Sequence, residues 1–148
     1  MTLTSDGMTG EELAGKLLAD VRGDDQQVRA AVRLLGAYRD GYWLRRFVED
    51  AALAAAADHP LVHRSGWHPS VDWDGVGLLL LAAGSPVHKA SGGDRAVLEF
   101  AASLVGRYAV QLHGVVRALE DGDRQLVLEA LGEAAYGEVQ RLGQGSFA

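Results

Sequence analysis

The sequence contains no cysteine, and this absence excludes several kinds of site at once. Without cysteine there is no disulfide framework, no thiolate zinc ligand and no cysteine nucleophile. Long apolar runs are also missing. The longest, Val76 to Ala83, is far shorter than the roughly 20 residues of a membrane-spanning helix. Residues 1–10 lack a basic segment followed by an apolar run, so no secretory signal is expected. The sequence predicts a soluble, cytoplasmic protein that does not contact a membrane.

Motifs of the common enzyme classes are absent as well. There is no P-loop, no glycine-rich dinucleotide fingerprint, no nucleophile elbow and no HExxH zinc motif. Acidic residues that are adjacent in sequence, such as Glu49 and Asp50, point in different directions on a helix, so a carboxylate pair sharing a proton is not expected. We therefore favour a protein without catalytic residues and without a cofactor.

Basic charge is scarce, and the chain carries a net charge of −6. Only residues 21–50 are not acidic, with six basic and five acidic side chains. A helix-turn-helix over 25–57 would present the arginines of this stretch to DNA. They are Arg29, Arg33, Arg39, Arg45 and Arg46. Because nucleic acid repels an acidic protein at long range, an arginine-lined face for an acidic protein partner is the better interpretation.

What the sequence does contain is the apolar spacing of amphipathic helices. Thr9 and Glu12 form a capping box before the first helix. Further helices are predicted over 25–57, over 95 to about 120 behind an Asp94 cap, and over 124 to about 142. The fold class is all-α. Residues 1–148 are predicted to form one compact single-domain bundle of five to six helices, with flexible ends at 1–8 and 143–148.

The spacing also predicts which faces are buried. Residues 76–83 are apolar on every side, which indicates a buried central helix or strand capped by Ser70 or Asp72. In the last helix Leu128 and Leu131 are expected to point inward. Alternatively, the apolar face of that helix could be shared between subunits of a homo-oligomer.

The apolar face changes side within residues 25–57. Val28, Val32 and Leu35 share one face, whereas Leu44 and Phe47 lie nearly opposite. We infer a break at Asp40-Gly41 that gives two helices, 25–39 and 41–57. The alternative is one long helix that is buried on different sides by different neighbours.

Residues 59–74, HPLVHRSGWHPSVDWD, hold three of the five histidines and two of the three tryptophans. The two prolines of this segment predict a long loop, and long loops in compact domains are often functional. The spacing of His59 and His63 suits a divalent metal, with His68 and Asp72 completing the ligand set. The alternatives are a surface for a ligand or partner, or plain packing, with the histidines capping helix ends and Trp67 and Trp73 covering the bundle.

A second aromatic cluster precedes this loop, where Tyr42 and Trp43 stand beside Arg45 and Arg46. Tryptophan, tyrosine and arginine are the usual anchors of protein interfaces. The alternative is that Trp43 fills the bend at residue 41.

The sequence thus favours a non-enzymatic, intracellular interaction or regulatory module that binds another protein through Tyr42, Trp43, Arg45, Arg46, Trp67 and Trp73. The first alternative is a small metal- or ligand-binding protein, or an enzyme, that uses His59, His63, His68 and Asp72. A DNA-binding regulator that uses residues 25–57 is the second.

Overall fold

A computed structural model describes residues 4–63 and 68–137, which form an all-α fold with one short hairpin. The fold class predicted from the apolar spacing is confirmed. The described α-helices are α1 (Gly10–Leu18), α2 (Gln26–Ala37), α3 (Tyr42–Glu49), α4 (Ala51–Ala57), α5 (Trp73–Leu81), α6 (Gly92–Leu104), α7 (Leu112–Ala118) and α8 (Asp121–Tyr136). The antiparallel strands β1 (Val62–His63) and β2 (Ser70–Val71) lie between α4 and α5. There are more helices than predicted because two of the predicted helices are divided.

Helix α1 begins at the predicted capping box. The Glu12 N–H donates to the Thr9 hydroxyl, and the Thr9 N–H donates to the Glu12 carboxylate. Two N–H groups that a helix start would leave without partners are thereby satisfied. The apolar side of α1, which includes Leu13 and Leu17, is fully buried.

The predicted break near Asp40-Gly41 is present. Helix α2 is followed by a short 3₁₀ turn, Tyr38–Asp40. Three consecutive residues here, Arg39, Asp40 and Gly41, have positive φ angles, which a continuous helix does not allow. A second break was not expected. Asp50 ends α3 and caps α4, because its carboxylate accepts from the N–H groups of Ala52 and Leu53.

The prediction of one helix over residues 95–120 is wrong. Helix α6 ends at Leu104, and Gly106 follows in the left-handed conformation, with φ 76°. The Arg107 N–H then donates to the Ala102 carbonyl and the Gly106 N–H to that of Ser103, which is a Schellman motif. The cap at the other end also differs, since Ser91 accepts from the Asp94 N–H and α6 begins at Gly92.

Two predictions about buried faces are also wrong. Helix α5 is capped by Asp72 as expected, but it buries only one side, and Leu78 and Leu81 are exposed. In α8 the buried positions are Ala130 and Ala134, whereas Leu128 and Leu131 are exposed. Alanines at the contact let helix axes approach closely, which leaves the leucines on the outer face. The predicted continuation of this helix to residue 142 lies outside the described residues.

Helix α2 is the centre of the bundle, and it packs against α1, α3, α6 and α8. The start of α1 lies against the end of α2, where Gly10 meets Gly36 and Gly41. The end of α8 lies against the start of α2, where Gln27 donates to the Ala134 carbonyl. Both outer helices therefore run antiparallel to α2. Within the described residues, none of the helices is long and apolar enough to cross a membrane.

Candidate functional site

The His/Trp segment is organised by the β1–β2 hairpin rather than by an open loop. Val62 pairs with Val71 and His63 with Ser70. Residues 64–67, which include the candidate partner contact Trp67, lie outside the described residues. The hairpin places both ends of the segment at the start of α5, so that His59, His63 and Asp72 come together there.

Asp72 is the centre of this cluster and is 5% exposed. One carboxylate oxygen lies 3.2 Å from His59 Nδ1, and the other lies 3.4 Å from His63 Nε2. The Gly75 N–H donates to the same carboxylate, which caps α5. These groups, with Pro60 and Val62, line a shallow pocket of about 340 Å³. The carboxylate thus joins a helix cap to two half-exposed imidazoles.

The predicted four-residue metal site is not assembled. His68 lies elsewhere, with its backbone N–H donating to Asp20 and its ring Nε2 4.0 Å from that carboxylate. His59 Nδ1 also lies 3.0 Å from the Pro60 carbonyl. In residues 4–63 and 68–137, no three histidine, aspartate or glutamate side chains are arranged to hold a metal ion. The reason is that Asp72 caps α5 beside His59 and His63, whereas His68 contacts Asp20 instead.

Both described tryptophans of the predicted interface are core residues. Trp43 is 0% exposed, and its indole N–H donates to the Asp94 carbonyl. Trp73 is 9% exposed, and its indole nitrogen has no hydrogen-bond partner in the part of the chain that the structure describes. Both side chains therefore present little or no surface to a partner, although the sequence predicted them as contact residues. The alternative in which Trp43 fills the bend is the one its position supports.

The other members of the Tyr42–Arg46 cluster make contacts within the chain. Arg45 donates to the carbonyls of Ser5, Met8 and Asp40, which fastens the N-terminal segment to α3. Arg46 pairs with Asp50 at 2.8 Å and lies over the rings of Tyr42 and Trp43. These contacts within the chain account for the aromatic and arginine residues of the cluster. The cluster therefore offers little free surface to a partner.

The arginines predicted to face DNA or an acidic partner are likewise engaged. Arg39 contacts Asp94 at 2.7 Å and Arg33 contacts Glu133 at 2.6 Å. Arg45 contacts Asp40 at 3.1 Å, and Arg29 also has interactions within the chain. The stretch 25–57 therefore does not present an open basic face.

Asp94 is a key residue that the sequence reasoning treated only as a helix cap. Its buried carboxylate accepts from the Tyr38 hydroxyl at 2.5 Å and from Arg39 at 2.7 Å. Burial raises the pKa of Asp94, but hydrogen bonds from Tyr38, Arg39 and Ser91 outweigh burial and hold that pKa below its ordinary value. Burial and the Asp94 carboxylate together raise the pKa of Tyr38. The Ser91–Asp94 spacing, typical of a capping box, was the available signal.

A groove of about 760 Å³ lies between α1, α2 and α8. Its floor is α2, and α1 and α8 form its walls. Small side chains line much of it, namely Ala14, Gly15, Ala30, Ala37, Ala130 and Gly132. A Cβ atom added to Gly15 or to Gly132 would meet no other atom within 4 Å. The sequence reasoning missed this groove, which depends on how α8 packs on α2.

Charged side chains surround the small residues of the groove. Glu11 lies on the α1 wall and Glu129 on the α8 wall, while Arg29 and Arg33 lie on the α2 floor. Leu128, which is 56% exposed, adds an apolar side chain to the α8 wall. The groove therefore combines small side chains with charged side chains on its floor and on both walls.

Comparison of the chain with protein-family models, with curated proteins and with solved structures found no match.

Proposed function

We propose that the protein is a non-enzymatic interaction module that binds a segment of another protein in the groove between α1, α2 and α8. The observation that carries the proposal is the groove itself, which three helices line with small side chains and with charged ones. Small residues on the walls let another backbone approach closely. The proposal keeps the cytoplasmic location and the protein partner expected from the sequence, and moves the contact surface away from the Tyr42–Arg46 cluster.

The lining of the groove suits a polypeptide better than a small molecule. Sites for small ligands are mostly apolar and enclosed, with few polar groups. This groove has five charged residues among its lining, and it is partly open to solvent. A polypeptide presents both apolar side chains and charges along its length, and it would match that distribution.

The two alternative functions have less support. Ligand binding at the His59–His63–Asp72 cluster would rely on a shallow pocket with only five lining residues. DNA binding through residues 25–57 would require arginines that are instead paired with carboxylates, such as Arg33 with Glu133 and Arg46 with Asp50.

Filling the groove tests the proposal. Gly15→Trp and Gly132→Trp place an indole in open space within the groove, so the fold should survive and partner binding should be lost. Gly114→Trp is the matched control, because Gly114 is an exposed helical glycine outside the groove lining and a Cβ there also meets nothing within 4 Å. Proteins that co-purify with each variant from the native host would be compared by mass spectrometry.

The expected result is a protein that accompanies the wild type and Gly114→Trp but neither groove variant. If all four proteins retain the same companions, or if none has any, the groove is not a binding site for a partner.

A further inference from the structure

We infer that the segment bound in the groove is a short amphipathic α-helix that carries lysine or arginine along its flanks. This inference rests on the proposed function and names the chemistry of the partner. It follows from the shape of the groove and from which of its charges are already committed within the chain.

The shape favours a helix. Helices α1 and α8 lie on either side of α2, and a further helix between them would complete a four-helix arrangement. Helices pack at axis separations of about 8–10 Å, and small residues at the contact permit the shorter distances. The lining of α8 runs from Gln125 to Glu133, about 12 Å at 1.5 Å per residue, which corresponds to about two turns of a bound helix.

The charges favour a basic helix. The arginines of the floor are already engaged, since Arg33 pairs with Glu133 and Arg29 has its own interactions within the chain. The acids of the two walls are less committed. Glu129 has a 3.4 Å contact with Gln125, and Glu11 has no ion-pair partner within the described residues. The charge available to a partner is therefore negative on both walls.

The net charge of the protein acts in the same direction. The chain carries −6, and both walls are acidic helices with carboxylates in their first turns. A protein with this field attracts basic segments and speeds their encounter at low salt. The arginine-lined face for an acidic partner that the sequence indicated is thereby replaced by acidic walls for a basic partner.

Selection from a random peptide library tests the inference on the full-length protein. Displayed peptides of roughly 16 residues, long enough for about four helical turns, are selected on the wild type and counter-selected on Gly15→Trp. The enriched peptides are expected to have apolar residues at helical spacing with lysine or arginine on the flanks, and to become helical by circular dichroism when bound.

Charge reversal then tests the wall residues. Glu11→Lys combined with Glu129→Lys should weaken binding of an enriched peptide about tenfold and reduce its salt dependence. Glu49→Lys combined with Glu120→Lys changes the net charge equally at exposed positions outside the groove lining, and should leave most of the affinity intact.

The outcomes separate this inference from the proposed function. Enriched peptides that are acidic or lack helical spacing, but that bind the wild type and not Gly15→Trp, would overturn the inference. The groove would then remain a binding site. Failure to enrich any peptide that distinguishes the wild type from Gly15→Trp would overturn both. A wild-type dimer that Gly15→Trp converts to a monomer, measured by light scattering, would identify the occupant as a second copy and also overturn the inference.

Discussion

At the scale of single residues, Asp94 connects the junction of α2 and α3 to the start of α6. Its carboxylate accepts from Tyr38 and Arg39, and its carbonyl accepts from the Trp43 indole. The side chain is 7% exposed. A buried carboxylate is costly unless its oxygens are satisfied, and here the donors come from the segment that breaks the helix between α2 and α3. Asp94 therefore fixes the direction of the chain after that break.

Removal of this carboxylate should be strongly destabilising. We expect Asp94→Ala to lower the free energy of unfolding by about 2–4 kcal/mol, because the Tyr38 hydroxyl and the Arg39 guanidinium lose their acceptor. Urea denaturation measures the change. Asp74→Ala is the control, since Asp74 forms an exposed ion pair with Arg107 and such pairs contribute at most about 1 kcal/mol. Equal losses for the two variants would contradict the role given to Asp94.

The contact of Tyr38 with Asp94 also predicts a loss of stability in alkali. Burial and the neighbouring carboxylate raise the pKa of Tyr38 above its ordinary value of 10.0, so the fold favours the neutral phenol. That contribution is fully present below about pH 10 and is lost as the pH rises toward the raised pKa.

Thermal unfolding measured between about pH 8 and about pH 11, a range that includes the ordinary pKa of tyrosine, checks this expectation. Tyr38→Phe cannot ionise, so its melting temperature should fall less steeply over this range than that of the wild type. Part of the slope will persist, because burial and Glu99 raise the pKa of Tyr108 as well. Identical slopes for the two proteins would show that Tyr38 is not held neutral by the fold.

At the scale of secondary-structure elements, two glycines of α1 have opposite roles, Gly10 at the start of the helix and Gly15 in its middle. Gly10 lies where α1 crosses the end of α2, and a Cβ there would collide with the Gly36 carbonyl oxygen and lie 2.5 Å from the Gly41 nitrogen. Gly15 is exposed in the groove wall and has open space around it. The first glycine is required by the close contact between backbones, and the second leaves room in the groove at some cost in helix stability.

Alanine substitution separates these roles. Gly15→Ala should raise the free energy of unfolding by about 0.5–1 kcal/mol, the usual cost of glycine within a helix. Gly10→Ala should lower it by about 1–3 kcal/mol, because the new methyl group meets backbone atoms that cannot move aside easily. Thermal and urea denaturation of both variants measure the difference. A Gly10→Ala protein as stable as the wild type would refute the close crossing.

The elements set by local signals could be predicted from the sequence. The Thr9–Glu12 capping box, the Asp72 cap and the break at Gly41 each depend on a few neighbouring residues or on the phase of the apolar face. The single helix over residues 95–120 was predicted wrongly because the apolar spacing continues through Gly106, although that glycine terminates α6 in the left-handed conformation. A glycine late in an amphipathic stretch was the stronger signal.

The residues of the groove were harder to predict, because the groove depends on contacts between distant parts of the chain. Gln27 and Ala134 are 107 positions apart, and their hydrogen bond helps to place α8 beside α2. The aromatic residues that the sequence indicated as a surface, Trp43 above all, serve the core instead. Composition alone does not distinguish an interface anchor from a core residue, since both are large and apolar.

At the scale of the whole molecule, the bundle places its apolar core on one side of α2 and a groove on another. Helix α6 covers the first side, while α1 and α8 border the second. Exposed apolar side chains such as Leu128 and Leu131 lie on the same outer helix. The arrangement resembles a helical bundle with room for one more helix, and this is the basis of the proposed function.

The central claim is that the groove binds a partner, and an affinity titration tests it most directly. The protein that co-purifies with the wild type, or the peptide selected on it, would be titrated against wild-type, Gly15→Trp and Gly114→Trp proteins. The melting temperature of each protein would show that it is folded. We expect Gly15→Trp to remain folded and to lose measurable affinity, while Gly114→Trp binds like the wild type. Equal affinities for all three folded proteins would contradict it.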